Sequence, residues 1–326
     1  FVLFAMAGGI PLLVAAMFLF AVGESFRTGT HKAMVLDWLD REGERDQRTR
    51  VYGFTRSWSK IGSALSVLVA AALVFWTGRY SAIFWFSIPP YLLAMVNFLG
   101  YPSWLDRGAG RTVSIREAAV HLKRSLADAF RVPRIRRLVL ESCGFEGAYR
   151  AGKDYLQPVL QQMAVALPVL ATLPENRRSA LLIGLVYAVL HLLSSLASRN
   201  AHRLADARGG EDGASALLWT GVLAVYAILI PVFLWDRLPL AVAGFIILAM
   251  AQNLWRPMIV SRFHRCAPAG REATLLSIES QSNSAATMVL APLVGFGVER
   301  FGFEAAGVTG AALAAAVLLV FYTGRR

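Results

Sequence analysis

The chain has 326 residues, 56% of them hydrophobic and only 17% charged, where soluble domains usually carry about 25% charged residues. Mean hydropathy is +0.51, and the apolar residues come in long blocks with few amphipathic stripes and no period-2 alternation, which argues against a soluble helical domain and an outer-membrane barrel. A formal charge of +12 would suggest nucleic acid in a soluble protein, but the basic residues sit between the blocks in an alternating pattern that points elsewhere.

A membrane-spanning helix needs about 20 mostly apolar residues to cross ~30 Å of hydrocarbon. Residues 1–22 carry no charge, yet Gly8-Gly9-Ile10-Pro11 interrupts them, since Gly and Pro punctuate helices. Residues 1–9 therefore read as the remnant of one span and 12–38 as the next. The second takes in Glu24, Arg27, His31, Lys32 and Asp37. Its helical pattern continues through Ala33-Met34-Val35-Leu36 and Trp38, Gly29 is ordinary in a membrane helix, and the next turn residue is Gly43. Further spans are predicted at 51–77, 81–104, 135–170, 178–199, 214–235, 239–262, 271–299 and 304–323, which makes nine complete spans and one partial. Residue 1 is Phe inside an apolar run, so the chain reads as N-terminally truncated. The fold class expected is an all-α polytopic membrane protein.

The connections alternate in charge. One side holds Arg41, Arg45, Arg48 and Arg50, then a polar insert 105–137 with eight Arg and Lys123, then Arg199, Arg203 and Arg208, then a loop 261–271 with Arg262, Arg265 and Arg271, and finally Arg325 and Arg326. The other side holds only Arg79, Arg177, Arg178, Arg237 and Arg300. This is the positive-inside bias. It predicts a multi-pass protein of the plasma (inner) membrane with the 105–137 connection and the C-terminus cytoplasmic. The basic surplus is then a topology signal, with some affinity for anionic lipid. The insert divides a front part, 1–104, from a rear bundle of six spans, 138–326. A faint repeat supports equal halves: RTRVYGFTRSWSK (48–60) aligns with REATLLSIESQSN (271–283), each opening a span after a basic loop. Parallel halves are a transporter device. Cys143 and Cys266 lack partners at metal-ligand spacing, so neither a metal site nor a disulfide framework is expected.

Charges at membrane depth are costly and face the bundle interior or a watery cavity. At ~1.5 Å rise per residue, Glu24 and Arg27 fall near the midplane of 12–38, and with His31 they share a helical face. They read either as cavity lining or as an intrahelical brace. Arg56 and Lys60 lie in the cytoplasmic half of 51–77, placed to hold a gate with Asp37 or loop acids, or to reach substrate. In 135–170, Glu146, Arg150, Asp154, Gln157 and Gln161 repeat at helical spacing, flanked by Tyr149 and Tyr155, and predict one continuous polar stripe with a bend near Pro158. Asn253 and Arg256 precede Pro257 in 239–262, and Glu279 sits in a Ser-rich part of 271–299.

With the pattern RxxxxGFxRSxSxxGSAL (48–65), the long connection and the loop SSLASRNAHRLAD (194–206), the chain resembles the major facilitator superfamily of secondary transporters. The resemblance implies a two-bundle fold in which the front part is the end of span three through span six and the rear part is spans seven to twelve. Spans one and two and most of span three would precede residue 1. It also implies that spans one, four, seven and ten line a central cavity. Here those spans carry Glu24, Arg27 and His31; Glu146, Tyr149, Arg150, Asp154, Gln157 and Gln161; and Asn253 and Arg256. Arg56, Lys60, Asp37 and Glu279 are the expected coupling or gating residues. The function implied is alternating-access, proton-coupled transport of a small polar solute (a sugar, a zwitterionic or organic-ion metabolite) or a drug-like compound by a monomer without metal or cofactor. The competing readings are a polytopic enzyme acting on a lipid-linked substrate and a non-transporting membrane protein.

Overall fold

The computed structural model describes the backbone of residues 1–27, 30–101, 120, 131–166, 172–267 and 272–323. Among these residues there is no strand, and thirteen α-helices follow one another. The front part has α1 (Val2–Met6), α2 (Ile10–Arg27), α3 (Thr30–Arg41), α4 (Arg48–Thr77) and α5 (Ser81–Leu99). The rear part has α6 (Pro133–Lys153), α7 (Leu156–Ala166), α8 (Glu175–Arg199), α9 (Ala201–Ala207), α10 (Glu211–Leu234), α11 (Leu238–Cys266), α12 (Glu272–Phe301) and α13 (Glu304–Thr323). Most of the insert 105–137 lies outside the described residues, as do Thr28 and Gly29 between α2 and α3.

Among the described residues, five helices are long and apolar enough to cross a membrane: α4, α5, α8, α10 and α11. Two of the other predicted spans fall short by composition. Helix α6 carries Arg134, Arg136, Arg137, Glu141, Glu146, Arg150 and Lys153, and α12 carries a polar run from Ser277 to Ser284. Membrane helices tolerate such groups where they face protein: α6 buries Glu141 and Glu146, and α12 buries Glu279, against arginines of α11, while Arg134, Arg136, Lys153, Gln281 and Ser284 stay exposed.

One predicted span divides in two. The stretch expected at 135–170 is helical to Lys153, turns at Asp154-Tyr155 and resumes at Leu156. Pro158 explains the position. It has no N–H to give the carbonyl of Asp154, four residues back, and its ring crowds that carbonyl. Gly152 adds no side chain to hold the turn, and Tyr155 N–H bonds back to Gly152 O at 3.1 Å. A second difference lies at the end of α11. It continues to Cys266, so Arg262 and Arg265 stand on a helix and not in the loop predicted at 261–271.

Helix α11 is the axis of the packing. Trp255, Met258, Ile259, Val260 and Phe263 are fully enclosed. Trp255 stacks flat on Phe145 of α6, ring centroids 4.3 Å apart, and Trp219 of α10 meets the same Phe145 edge-on at 4.7 Å. Leu36, Leu39 and Tyr52 of the front part join this same core, so the two parts are continuous at the end of the molecule that carries the basic connections, hereafter the basic end. Away from it, α2 and α5 present apolar side chains outward, as a lipid solvent permits.

The seam between front and rear is α4 against α8. A side chain at Gly53 would strike the Ser198 carbonyl, and one at Gly184 would strike Ala71 Cβ. Small residues at such contacts let membrane helices approach closely. Gly53→Leu and Gly184→Leu are therefore expected to cost about 1–3 kcal/mol by overpacking, read as a lower thermal midpoint in detergent. Gly62→Leu on the same helix meets open space and is expected to be tolerated. Equal midpoints for all three would contradict the close seam.

Candidate functional site

The charged residues of the interior converge on α11 from three sides. Arg256 forms a two-pronged pair with Glu279 of α12, Nη1 to Oε1 at 2.6 Å and Nη2 to Oε2 at 2.8 Å. Such fork-to-carboxylate pairs are the strong class of ion pair. Glu279 also accepts from Asn283 Nδ2 at 2.6 Å and from the Ser142 hydroxyl of α6. Every side chain in this group is at most 5% exposed, so Glu279 is a saturated, enclosed anchor.

Glu146 of α6, 4% exposed, is held differently. Arg256 Nε stands 3.5 Å from its Oε1, and Arg150 Nε stands 3.5 Å from its Oε2. The close hydrogen bond it receives is from the neutral amide of Gln252, at 2.8 Å. The fully buried trio of Glu146, Glu279 and Arg256 thus holds two acids and one base. Half-buried Arg150 and Arg56 add two positive charges at its edge. Arg56 comes from the front part: its Nε donates to Asn253 Oδ1 and its Nη2 to Gln252 Oε1, both at 3.0 Å. Gln252 therefore relays between a front-part arginine and a rear-part carboxylate.

A second polar layer lies toward the basic end. Arg262 pairs with Glu141 and with Asp212, each at 2.7 Å, and Trp255 Nε1 donates to Glu141 at 3.3 Å. Front and rear meet here through Thr49, which donates to Glu211, and through Asp40, which takes Arg48 at 2.6 Å and His264 at 3.3 Å. Arg265 also pairs with Glu211. About one helical turn along the seam from Gly53, Ser57 Oγ and Ser195 Oγ are 2.8 Å apart. Asp40 lies past the predicted span. Burial pushes its carboxyl up, but hydrogen bonds from Arg48 and His264, and their charge, outweigh burial and hold it below the usual carboxylate value. Asp40 thus meets Arg48 and His264 as a carboxylate at neutral pH.

A family model described as Major Facilitator Superfamily matches residues 1–278. The chain belongs to this superfamily. It is an integral membrane protein and a transporter of the facilitator type, a family whose members bind small-molecule substrates within the membrane. A comparison with curated proteins gives no match.

Among the residues singled out from the facilitator's sequence, the structure brings Arg56, Glu146, Arg150, Asn253, Arg256 and Glu279 into one cluster. Tyr149 and Lys60 lie at its edge, Lys60 one helical turn from Arg56 and within electrostatic reach of Glu146. The stripe of α6 does not run on through the bilayer. Asp154 sits at the helix break with its side chain 76% exposed, paired with Lys153 at 3.1 Å. Gln157 and Gln161 are exposed on α7. Gln161 borders a separate cavity of about 630 Å³ at the far end, together with Tyr80, Glu175 and Asn176. Glu24 is half-buried near the end of α2. The side chains of Arg27, His31 and Asp37 lie outside the described residues, and with them the expected Glu24–Arg27 pair and the expected Asp37 gate.

Sequence reasoning missed Gln252, Ser142 and Arg262 as partners. Their signal was present only as helical spacing: Gln252 and Arg256 are four apart on one face of α11, and Ser142 and Glu146 four apart on α6. Cys143 and Cys266 are both half-buried and free.

Proposed function

We propose that this facilitator is a secondary active transporter that couples proton movement to a small polar solute by alternating access, its two bundles (1–104 and 138–326) rocking about the buried cluster. The observation that carries this reading is the unequal treatment of two buried carboxylates. Glu279 is saturated by the fork of Arg256, by Asn283 and by Ser142. Glu146 has guanidinium groups only at 3.5 Å and a neutral amide as its near donor. Glu146 is compensated by arginine charge at a distance and not by a close guanidinium hydrogen bond, so of the two carboxylates it is the easier one for a proton or a cationic group of the solute to take over. Glu146 is thus the coupling residue in this reading, and Glu279 is the anchor that keeps Arg256 in place. Gln252 ties Glu146 to Arg56, so a change of charge at Glu146 is felt at the contact between the bundles.

In this reading the basic end faces the cytoplasm of a plasma (inner) membrane, as the arginine distribution implies, and the latched conformer is closed on that side. The acids and bases of the interior nearly balance. That favours a sugar, a zwitterion or a small organic ion over a purely apolar compound, with Glu24, Tyr149 and Arg150 as further cavity residues.

A thermal-shift screen of sugars, zwitterionic amino acids and organic ions on the purified protein selects the solute. Its uptake is then driven by an imposed pH gradient in cells expressing the gene. Glu146→Gln is expected to lower gradient-driven uptake by roughly 5–150-fold, the range of a site-to-site coupling of ~1–3 kcal/mol, while leaving gradient-free exchange intact. Asp154→Asn, exposed and paired to Lys153, is the comparison variant and is expected to lose less. Full gradient-driven uptake by E146Q would overturn proton coupling at this carboxylate.

A further inference from the structure

A cavity of about 410 Å³ opens at the basic end between α4 of the front part and α8–α9 of the rear. Arg50, Arg199, Arg203 and His202 line it with Val51 and Phe54, and no acidic side chain does. Arg50, Arg199 and Arg203 are exposed and make no ion pair among the described residues. Arg199 instead lies over the Phe54 ring, 5.1 Å from its centroid. The Nδ1 of half-buried His202 is enclosed and has no hydrogen-bond partner. Three guanidinium groups without an ion pair among the described residues, around one hollow with no acidic side chain, describe a receptor for an anion.

The surroundings say which kind. Arg50 stands two residues into α4 and Arg199 ends α8, which is the level of the headgroups if these helices span the bilayer. Below Arg50 on the same face of α4 come Phe54 and Trp58, and below Arg199 on α8 come Leu196 and Leu192, all exposed. Below the hollow both helices thus present exposed apolar side chains along which a hydrocarbon chain can lie. A free anion would use only the arginines, whereas an anionic phospholipid would use the arginines and these apolar side chains.

We propose that this cavity binds the phosphate headgroup of an anionic phospholipid, with an acyl chain along the exposed apolar side chains of α4 and α8. Basic pockets between membrane helices on the cytoplasmic side suit such headgroups. Arg50 belongs to the front part, and Arg199 and Arg203 to the rear. A headgroup gripping all three binds best when the two parts are latched at this end, and it favours that conformer by its differential affinity. The proposal does not depend on the proton-coupling reading, because it makes no use of the buried cluster.

The test uses the purified chain in neutral detergent, with phosphatidylglycerol, phosphatidylcholine of the same acyl chains, or inorganic phosphate added. Phosphatidylglycerol is expected to raise the thermal midpoint and to remain bound in native mass spectrometry, and phosphatidylcholine and inorganic phosphate are not. The double variant Arg50→Gln/Arg203→Gln alters exposed side chains only and is expected to bind phosphatidylglycerol roughly tenfold or more weakly. Arg208→Gln, at the same end but outside the cavity, is expected to bind it unchanged. An equal effect of inorganic phosphate would overturn the lipid assignment. Unweakened phosphatidylglycerol binding by the double variant would overturn the site.

Discussion

Replacing Glu279 with alanine is expected to destabilise the folded protein by about 3–5 kcal/mol, the cost of leaving one partner of a buried ion pair alone. The local geometry supports the upper part of that range. Glu279 is fully enclosed, and its loss would strand the guanidinium of Arg256, the amide of Asn283 and the hydroxyl of Ser142 at once. Each stranded donor faces packed protein, not water, and an unsatisfied buried polar group carries its own desolvation cost. Thermal unfolding in detergent and the yield of monodisperse protein read the effect. The double variant Arg256→Met/Glu279→Met removes both charges and fills similar volume. It is expected to recover part of the stability, since apolar replacements of a buried pair are often neutral or stabilising while Asn283 and Ser142 still lack their acceptor and Glu146 loses Arg256; solute uptake stays lost. If E279A unfolds with the unaltered protein, the pair is not the anchor that its geometry describes. If the double variant transports normally, the pair has no part in function.

The order of the spans is legible in the sequence because a bilayer prints its thickness there: soluble folds seldom need an unbroken apolar block of about 20 residues. Positions of interior charge are legible for the same reason, since nothing but function or pairing retains Glu146, Arg256 or Glu279 at depth. The partners are not. Which carboxylate Arg256 takes is decided by where α6 and α12 meet α11, and no local pattern encodes that meeting. The sequence puts Arg262 in a loop because a basic residue at the end of an apolar block counts toward the positive-inside bias; in the fold it is buried and answered by Glu141 and Asp212. The stripe from Glu146 to Gln161 assumes an unbroken 3.6-residue period. Pro158 predicts a bend, but with Gly152 ahead of it the ladder breaks at Asp154; beyond the break Gln157 is exposed and Gln161 borders a different cavity. Asn253, by contrast, precedes a proline inside a helix that stays whole. Its side-chain amide returns to Ala249 O at 2.8 Å while its carbonyl oxygen takes Arg56.

Arg56→Ala is expected to loosen the latch between the two parts. The side chain makes two charge-assisted hydrogen bonds across the seam, to Asn253 and Gln252, of a kind worth ~1.5–3 kcal/mol each. Losing even ~3 kcal/mol in one conformer alone shifts a two-state ratio on the order of a hundredfold. The basic ends of α4 and α11, with α9 between them, then exchange amide hydrogens faster, because closed backbone there is sampled less. Under the proposed alternation between two folded conformers, thermal stability changes little by comparison. Arg56→Lys keeps the charge but not the planar fork that reaches both amides, and is expected to restore protection only in part. Hydrogen–deuterium exchange over residues 48–56, 201–212 and 258–267 decides the matter. Unchanged exchange in R56A would mean that Thr49–Glu211 and Asp40–His264 hold the basic end shut without it. A large fall in the thermal midpoint would mean that Arg56 stabilises the fold itself and not one of its conformers.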